Sequence, residues 1–145
     1  TYSDINLIYA NVLLGWKSNR VKVDADFRYR GVSFPDKDAK NLGFALPKYS
    51  GGLRATYDIS SRLYAGVAVE ASSWRDGKCA SVASEDILDV RVPGYVDLGV
   101  NCGYKFNRKL EFWLESGNLL CQAIQRNPFY AEKGPWVTAG VSLNL

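Results

Sequence analysis

The stretch Val21-Lys-Val-Asp-Ala-Asp-Phe-Arg-Tyr-Arg30 decides the fold, because it alternates strictly between apolar and charged residues. Side chains of an extended strand point alternately to opposite faces, so the apolar set and the charged set separate completely. A helix would mix the two sets around its axis. We therefore predict a strand over residues 20–33. Its apolar face carries Val21, Val23, Ala25, Phe27 and Tyr29, and its charged face carries Lys22, Asp24, Asp26, Arg28 and Arg30.

The same alternation continues in both directions from this stretch. It predicts six further strands over residues 3–16, 48–58, 62–74, 95–106, 109–117 and 136–145. The pattern of residues 3–16 also fits a helix capped by Ser3, and we assign it as a strand. The predicted strands run to about 10 to 14 residues, whereas strands of soluble proteins average about 5 to 6.

Short and long connections alternate along the chain. Short polar turns follow the first, third and fifth strands, and long loops at 34–43, 75–93 and 121–135 follow the second, fourth and sixth. Within the second loop, residues 84–88 are compatible with one helical turn. This rhythm predicts an all-β, antiparallel, up-and-down barrel with its turns at one end and its loops at the other. We assign residues 1–145 to a single domain or to part of one.

Composition excludes several function classes. The net charge of +3 is small and scattered, which argues against a nucleic-acid-binding face. The chain has no histidine, the commonest general base and metal ligand, so we expect no enzyme activity, metal site or cofactor. Methionine is also absent, and we interpret the chain as a processed product or a fragment. No apolar run reaches the roughly 18 residues of a spanning helix, so membrane insertion would require a barrel.

Two features favour a transmembrane barrel whose apolar faces point to lipid. Tyr49 and Tyr57 bracket an apolar band of about 20 Å, as expected between two aromatic girdles. The opposite faces mix small, polar and charged residues of both signs, which suits a wet lumen. The predicted membrane-interface aromatics are Trp16, Tyr49, Tyr57, Tyr104, Phe106 and Phe112. The predicted lumen-facing residues are Lys22, Asp24, Asp26, Arg28, Arg30, Arg54, Glu70, Asp97 and Glu111.

The end of the chain carries a resemblance to known barrels. Thr138, Gly140, Leu143 and Leu145 occupy the polar, glycine and two apolar places of the C-terminal signal that the barrel-assembly machinery recognises, with Leu145 in the place of the usual aromatic. Residues 114–120, the following Asn127-Pro-Phe-Tyr130 and the glycine-bearing last strand resemble the end of TonB-dependent receptors, particularly those of Bacteroidetes.

The resemblance implies a bacterial outer-membrane protein of a Gram-negative cell, with the lipid bilayer and the assembly machinery as partners. It implies transport or receptor-type uptake as the function. Because seven is an odd count and the first strand runs from the loop side, we expect at least one strand before Thr1. The chain would then be the C-terminal part of a longer barrel, which we favour, or a small eight-stranded barrel without its first strand. The missing part and other envelope proteins are further expected partners. Two alternatives are a non-transporting scaffold of an envelope assembly and a soluble, lipocalin-like, ligand-binding barrel.

Two groups of residues are candidates for chemistry. The charged ladder of residues 22–30 would select ions or contact a substrate or plug; alternatively, its charges neutralise one another. Cys79 and Cys121 lie in two different long loops, where an oxidising compartment allows a disulfide between them. Cys102 falls on the apolar face and is expected to be a buried free thiol. The cysteine spacings match no zinc pattern.

Overall fold

The computed structural model describes residues 6–33, 46–80, 87–127, 130–131 and 134–143. Among these residues no helix is long and apolar enough to cross a bilayer. The elements are strands: β1 (Asn6–Lys17), β2 (Val21–Ser33), β3 (Tyr49–Asp58), β4 (Leu63–Ser72), β5 (Arg75–Ala80), β6 (Ile87–Val92), β7 (Tyr95–Lys105), β8 (Leu110–Gly117), β9 (Gln125–Asn127), β10 (Tyr130–Ala131) and β11 (Trp136–Leu143).

Seven of these strands form one antiparallel sheet in the order β1-β2-β3-β4-β7-β8-β11. Each strand pairs with the next one of the meander, so the predicted all-β, antiparallel, up-and-down arrangement is confirmed. β1 and β11 are the two edges and do not pair with each other. The sheet is therefore open and forms part of a barrel.

Side-chain hydrogen bonds fix two of the short turns. Asn107 Oδ1 accepts hydrogen bonds from the backbone N–H groups of Lys109 and Leu110, both at 2.8 Å. Ser60 Oγ accepts from the backbone N–H groups of Arg62 and Leu63 at 3.2 and 3.1 Å. Asn and Ser favour turns because their side chains bond to the backbone a few residues on. These contacts bring the connected strands into register.

The long connections hold structure that the sequence pattern does not reveal. β5 and β6 form an antiparallel hairpin from Arg75↔Val92 to Ala80↔Ile87, and β9 pairs with β10. The helical turn with which residues 84–88 are compatible is not formed at residues 87–88, because Ile87 begins β6; residues 84–86 lie outside the described residues. The first long loop, 34–43, also lies outside them.

Register places the apolar sets of the seven strands on one face, whereas Leu7 and Leu13 of β1 fall on the other. Val12 lies opposite Phe27, and Leu53 lies opposite Val69. Large residues of this face remain exposed, for example Leu14 at 67% and Val141 at 60%. The buried apolar side chains of the described residues are instead Val92, Tyr95 and Ile124, all at the long-loop end. A lipocalin-like barrel would bury its apolar strand faces, whereas in this open sheet they are exposed.

Candidate functional site

The polar face of the sheet lines an open cavity of about 1190 Å³. All nine predicted lumen-facing residues lie on this face by register. Lys22 and Glu111 lie nearer the short turns and do not line the cavity. The seven that line it are Asp24, Asp26, Arg28, Arg30, Arg54, Glu70 and Asp97. That this cavity is the lumen of a barrel stays a prediction.

The charged ladder of β2 pairs largely within itself. Lys22 Nζ lies 2.8 Å from Asp24 Oδ2, and Arg28 Nη2 lies 3.0 Å from Asp26 Oδ2. The partners are two residues apart, so both side chains of each pair leave the same face of the strand. Arg30 lies over the ring of Tyr9, 5.7 Å from its centroid. Mutual neutralisation therefore accounts for most of the ladder, and its role in selectivity stays a prediction.

A second cluster, which we call the loop-base cluster, joins the sheet to the third long loop. It comprises Glu70, Arg75, Tyr95, Asn118 and Arg126. Glu70 Oε1 accepts a hydrogen bond from the Tyr95 hydroxyl at 2.7 Å and lies 3.5 Å from Arg126 Nη2. The Arg126 guanidinium also lies 5.9 Å from the Tyr95 ring centroid. One carboxylate on β4 thus holds both the start of β7 and the loop.

Arg75 makes the second connection of the cluster. Its side chain is buried, with 6% of the residue exposed, and Nη2 donates a hydrogen bond to the carbonyl of Gln125. Its Nε has no hydrogen-bond partner in the part of the chain that the structure describes. A buried guanidinium needs such bonds to offset its lost hydration. The contact therefore fixes the loop against the β5–β6 hairpin.

Asn118 makes the third connection. Its φ of 52° lies in the left-handed region, which Asn tolerates better than most residues. The side chain accepts from the Gln122 N–H at 2.9 Å and donates to the Gln122 carbonyl at 2.8 Å, while the Asn118 N–H donates to Asp97 Oδ1 at 2.7 Å. The buried Ile124 packs within the same segment. Residues 118–126 are thus tied to the wall at the mouth of the cavity.

The sequence pattern identified Glu70 and Asp97 of this region but missed its other members. Arg75 and Arg126 fall in loops without periodicity, and no local signal distinguishes them from solvated charges. Asn118 carries one weak signal, the Gly-Asn dipeptide typical of turns.

The predicted interface aromatics lie on the apolar face or in its turns. Tyr49 lies at the loop end, where its ring contacts those of Phe27 and Tyr29 at centroid distances of 6.3 and 5.5 Å. The others lie at the turn end. The exposed fractions are 57% for Trp16, 45% for Tyr49, 46% for Tyr57, 41% for Tyr104, 56% for Phe106 and 45% for Phe112. Exposed aromatics at both ends of an apolar band are the arrangement of membrane-interface girdles.

Gly140 of the terminal pattern has a structural reason of its own. It lies directly opposite Trp113, and an added Cβ would come within 3.0 Å of the indole ring. Thr138 shares the polar face with Gly140, and Leu143 lies on the apolar face with 62% exposure. Leu145 lies outside the described residues. Recognition of this strand by an assembly machinery stays a prediction.

The cysteines whose side chains the structure describes carry free thiols. The thiol of Cys121 is exposed, and the side chain of Cys79, the other member of the possible disulfide, lies outside the described ones, so that pairing stays a prediction. Cys102 is free as expected but half-buried, because its face of the sheet is open. Among the described residues no group of three or more His, Cys, Asp or Glu side chains is placed to hold a metal ion.

Comparison with known proteins identifies related folds. No family model and no curated protein sequence matches the chain. The solved structures that superpose on it include three receptors, and the chain spans 21% of the length of each. The first is the siderophore receptor PirA from Acinetobacter baumannii, with a TM-score of 0.75 and 18% identity over 92% of this chain. The second is the import receptor Fiu for ferric catecholates from Escherichia coli K12, with a TM-score of 0.72 and 14% identity over 97% of this chain. The third is a G324V mutant of the ferric enterobactin receptor PfeA from Pseudomonas aeruginosa, with a TM-score of 0.69 and 13% identity over 91% of this chain.

At these identities the likeness concerns the fold. Nearly the whole chain follows about a fifth of each receptor, with seven adjacent strands in one sheet. The receptor-type fold predicted from the terminal resemblance is confirmed at this level. The chain therefore has the fold of a segment of a siderophore-receptor-type β-barrel.

Proposed function

We propose that the chain is part of the barrel of a TonB-dependent outer-membrane receptor that takes up a ferric siderophore. One observation carries the proposal: a seven-stranded sheet exposes a continuous apolar face and carries a charged cavity on its other face. A bilayer makes that arrangement favourable, because the apolar side chains then meet lipid and the charged ones meet water. The three receptors of similar fold support the choice of substrate class.

The cavity provides groups that suit an oxygen-rich, anionic iron chelate. Arg28, Arg30, Arg75 and Arg126 lie towards the loop end, where a ligand would enter from outside the cell. Guanidinium groups donate several hydrogen bonds in a fixed geometry to anionic oxygens. Arg28 and Arg126 are already within reach of Asp26 and Glu70, so we expect ligand binding to exchange partners at these residues.

The proposal includes a Gram-negative outer membrane, of the Bacteroidetes type suggested by residues 114–130, and assembly through the C-terminal strand. Uptake by iron-starved cells tests it. We expect deletion of the gene to abolish accumulation of radioactive iron from at least one ferric siderophore, with ferric enterobactin as the catecholate probe and a ferric hydroxamate as comparison. Re-expression of the full-length protein should restore it.

Two outcomes distinguish the alternatives. If the protein fractionates with the outer membrane, but its deletion leaves uptake of every tested siderophore unchanged and disrupts a co-purifying envelope complex, the scaffold function replaces the receptor function. If it fractionates with soluble protein and needs no detergent, the membrane location itself is wrong.

A further inference from the structure

The short-turn end of the sheet carries an excess of cations. Six exposed cationic residues lie in or beside the three turns, and we call them the turn rim. None makes an ion pair with another residue that the structure describes; Lys105 lies 5.8 Å from the ring centroid of Tyr64. The members are Lys17, Arg20, Arg62, Lys105, Arg108 and Lys109.

At the opposite end of the sheet, two described cations lie against carboxylates: Arg91 Nε is 3.4 Å from Asp76 Oδ1, and Arg126 reaches Glu70. Lys48 lies over the ring of Tyr49, and Arg75 bonds to a backbone carbonyl. Beside the turns, the described acids are Asp58 and Glu111, and Glu111 already accepts a hydrogen bond from the Tyr64 hydroxyl at 2.8 Å. The positive charge of the turn rim is therefore left largely uncompensated within the described chain.

Backbone hydrogen bonds hold the turn rim in place. The Asp58 N–H donates to the Arg20 carbonyl, and the Lys105 N–H donates to the Arg62 carbonyl, each at 2.7 Å. These bonds set neighbouring turns side by side, and Arg20, Asp58, Arg62 and Lys105 line a cleft of about 270 Å³ between them.

Exposed aromatics lie on the apolar face at the same end, Trp16 and Tyr57 among them. Moving along the strands towards the turns, one meets apolar residues, then aromatics, and beyond them the cations of the turn rim, of which Lys17 and Lys105 leave their strands on the polar face. Hydrocarbon, interface and charged headgroups follow one another in the same order in a bilayer leaflet.

We propose that the turn rim binds the phosphate groups of anionic phospholipids in the leaflet that the turns face. The inference rests on the membrane location included in the proposed function, but not on siderophore uptake. Anionic headgroups complement the cations, whereas zwitterionic headgroups offer no net charge to attract them. The attraction weakens with ionic strength, because salt screens charges exposed to water.

Trp16 is a natural reporter, since it lies on the apolar face within four residues of Arg20. The full-length protein is reconstituted in two sets of phosphatidylcholine vesicles. One set contains a small fraction of brominated phosphatidylglycerol, and the other contains the same fraction of brominated phosphatidylcholine. We expect Trp16 fluorescence to be quenched more by the brominated phosphatidylglycerol. Trp16→Phe should remove this difference, which assigns the signal to the turn end.

Substitution of Arg20, Arg62 and Arg108 by Ser should lower the preference for the anionic lipid over the zwitterionic lipid by at least about fivefold. Each cation near an anionic surface raises the association constant by about that factor. The matched control is Arg91→Ser, which removes a cation at the loop end and should leave the preference unchanged. Should the triple variant fail to fold, a salt series on the unchanged protein replaces it, because the preference must fall as salt rises from about 0.05 to 0.5 M.

The outcomes separate the inference from the proposed function. Equal quenching of Trp16 by the two brominated lipids, or a preference that persists in the triple variant and at high salt, would refute anionic-lipid binding and leave the membrane location intact. Absence of quenching by either lipid would refute the membrane location itself. Siderophore uptake is measured separately and decides neither result.

Discussion

Gly103→Ala should destabilise the protein through the ring of Tyr64. Gly103 on β7 lies directly opposite Tyr64 on β4, and a Cβ added there would lie within 3.0 Å of the ring and its hydroxyl oxygen. The ring would have to retreat by roughly 1 Å to restore van der Waals contact. Its hydroxyl would then leave Glu111, to which it donates at 2.8 Å.

The magnitude follows from three effects. Overpacking costs about 1 to 3 kcal/mol, and loss of the Tyr64–Glu111 hydrogen bond costs about 1 kcal/mol. Replacing Gly by Ala in a strand stabilises the folded state by about 0.5 to 1 kcal/mol, because the unfolded chain loses conformational freedom. We therefore expect the free energy of unfolding to fall by about 2 kcal/mol.

The assay is denaturant unfolding of the full-length protein in lipid vesicles, followed by tryptophan fluorescence. In a Tyr64→Ala background, Gly103→Ala should lose its cost, because the obstructing ring is gone. Gly134→Ala is the matched control, since no atom lies within 4 Å of its added Cβ. Wild-type stability of Gly103→Ala, or an equal loss in both backgrounds, would show that the ring does not rest on this glycine.

Two further predictions concern the long-loop end and the cysteines. Asn118→Ala should lower the free energy of local opening of residues 118–126 by about 2 kcal/mol, since it removes two side-chain hydrogen bonds and strains the left-handed φ. Asn118→Gly should cost less, because glycine adopts that φ without strain. Hydrogen exchange of the segment measures both variants, and equal protection in the two would contradict the argument. On intact cells a membrane-impermeant maleimide should label Cys121 and not Cys102. The thiol of Cys121 is exposed in a loop, whereas that of Cys102 lies on the apolar face. Labelling of Cys102 would show that this face is in water.

The sheet was predictable because each of its strands carries its own evidence. β2 alternates without a fault, so strand identity and the assignment of Lys22 and Phe27 to opposite faces follow from residues adjacent in sequence. The order of the seven strands follows from the alternation of short and long connections. These are local properties, and the structure confirms them.

The loop-base cluster was not predictable, because its contacts join distant segments. Arg75 bonds to Gln125 across 50 residues, and Glu70 reaches Arg126 across 56. Within β5 the sequence Arg-Asp-Gly-Lys-Cys-Ala has no alternation, so the hairpin was also missed.

Three aromatic rings of the polar face each have a glycine directly opposite on a neighbouring strand. The pairs are Tyr64 with Gly103, Trp113 with Gly140 and Trp136 with Gly117. In each pair the space for the ring exists only because the other residue has no side chain. Such pairs constrain evolutionary drift: the glycine cannot acquire a side chain until the ring has shrunk, so the order of substitutions matters as much as their identity. Related chains should therefore change the two positions together, ring first.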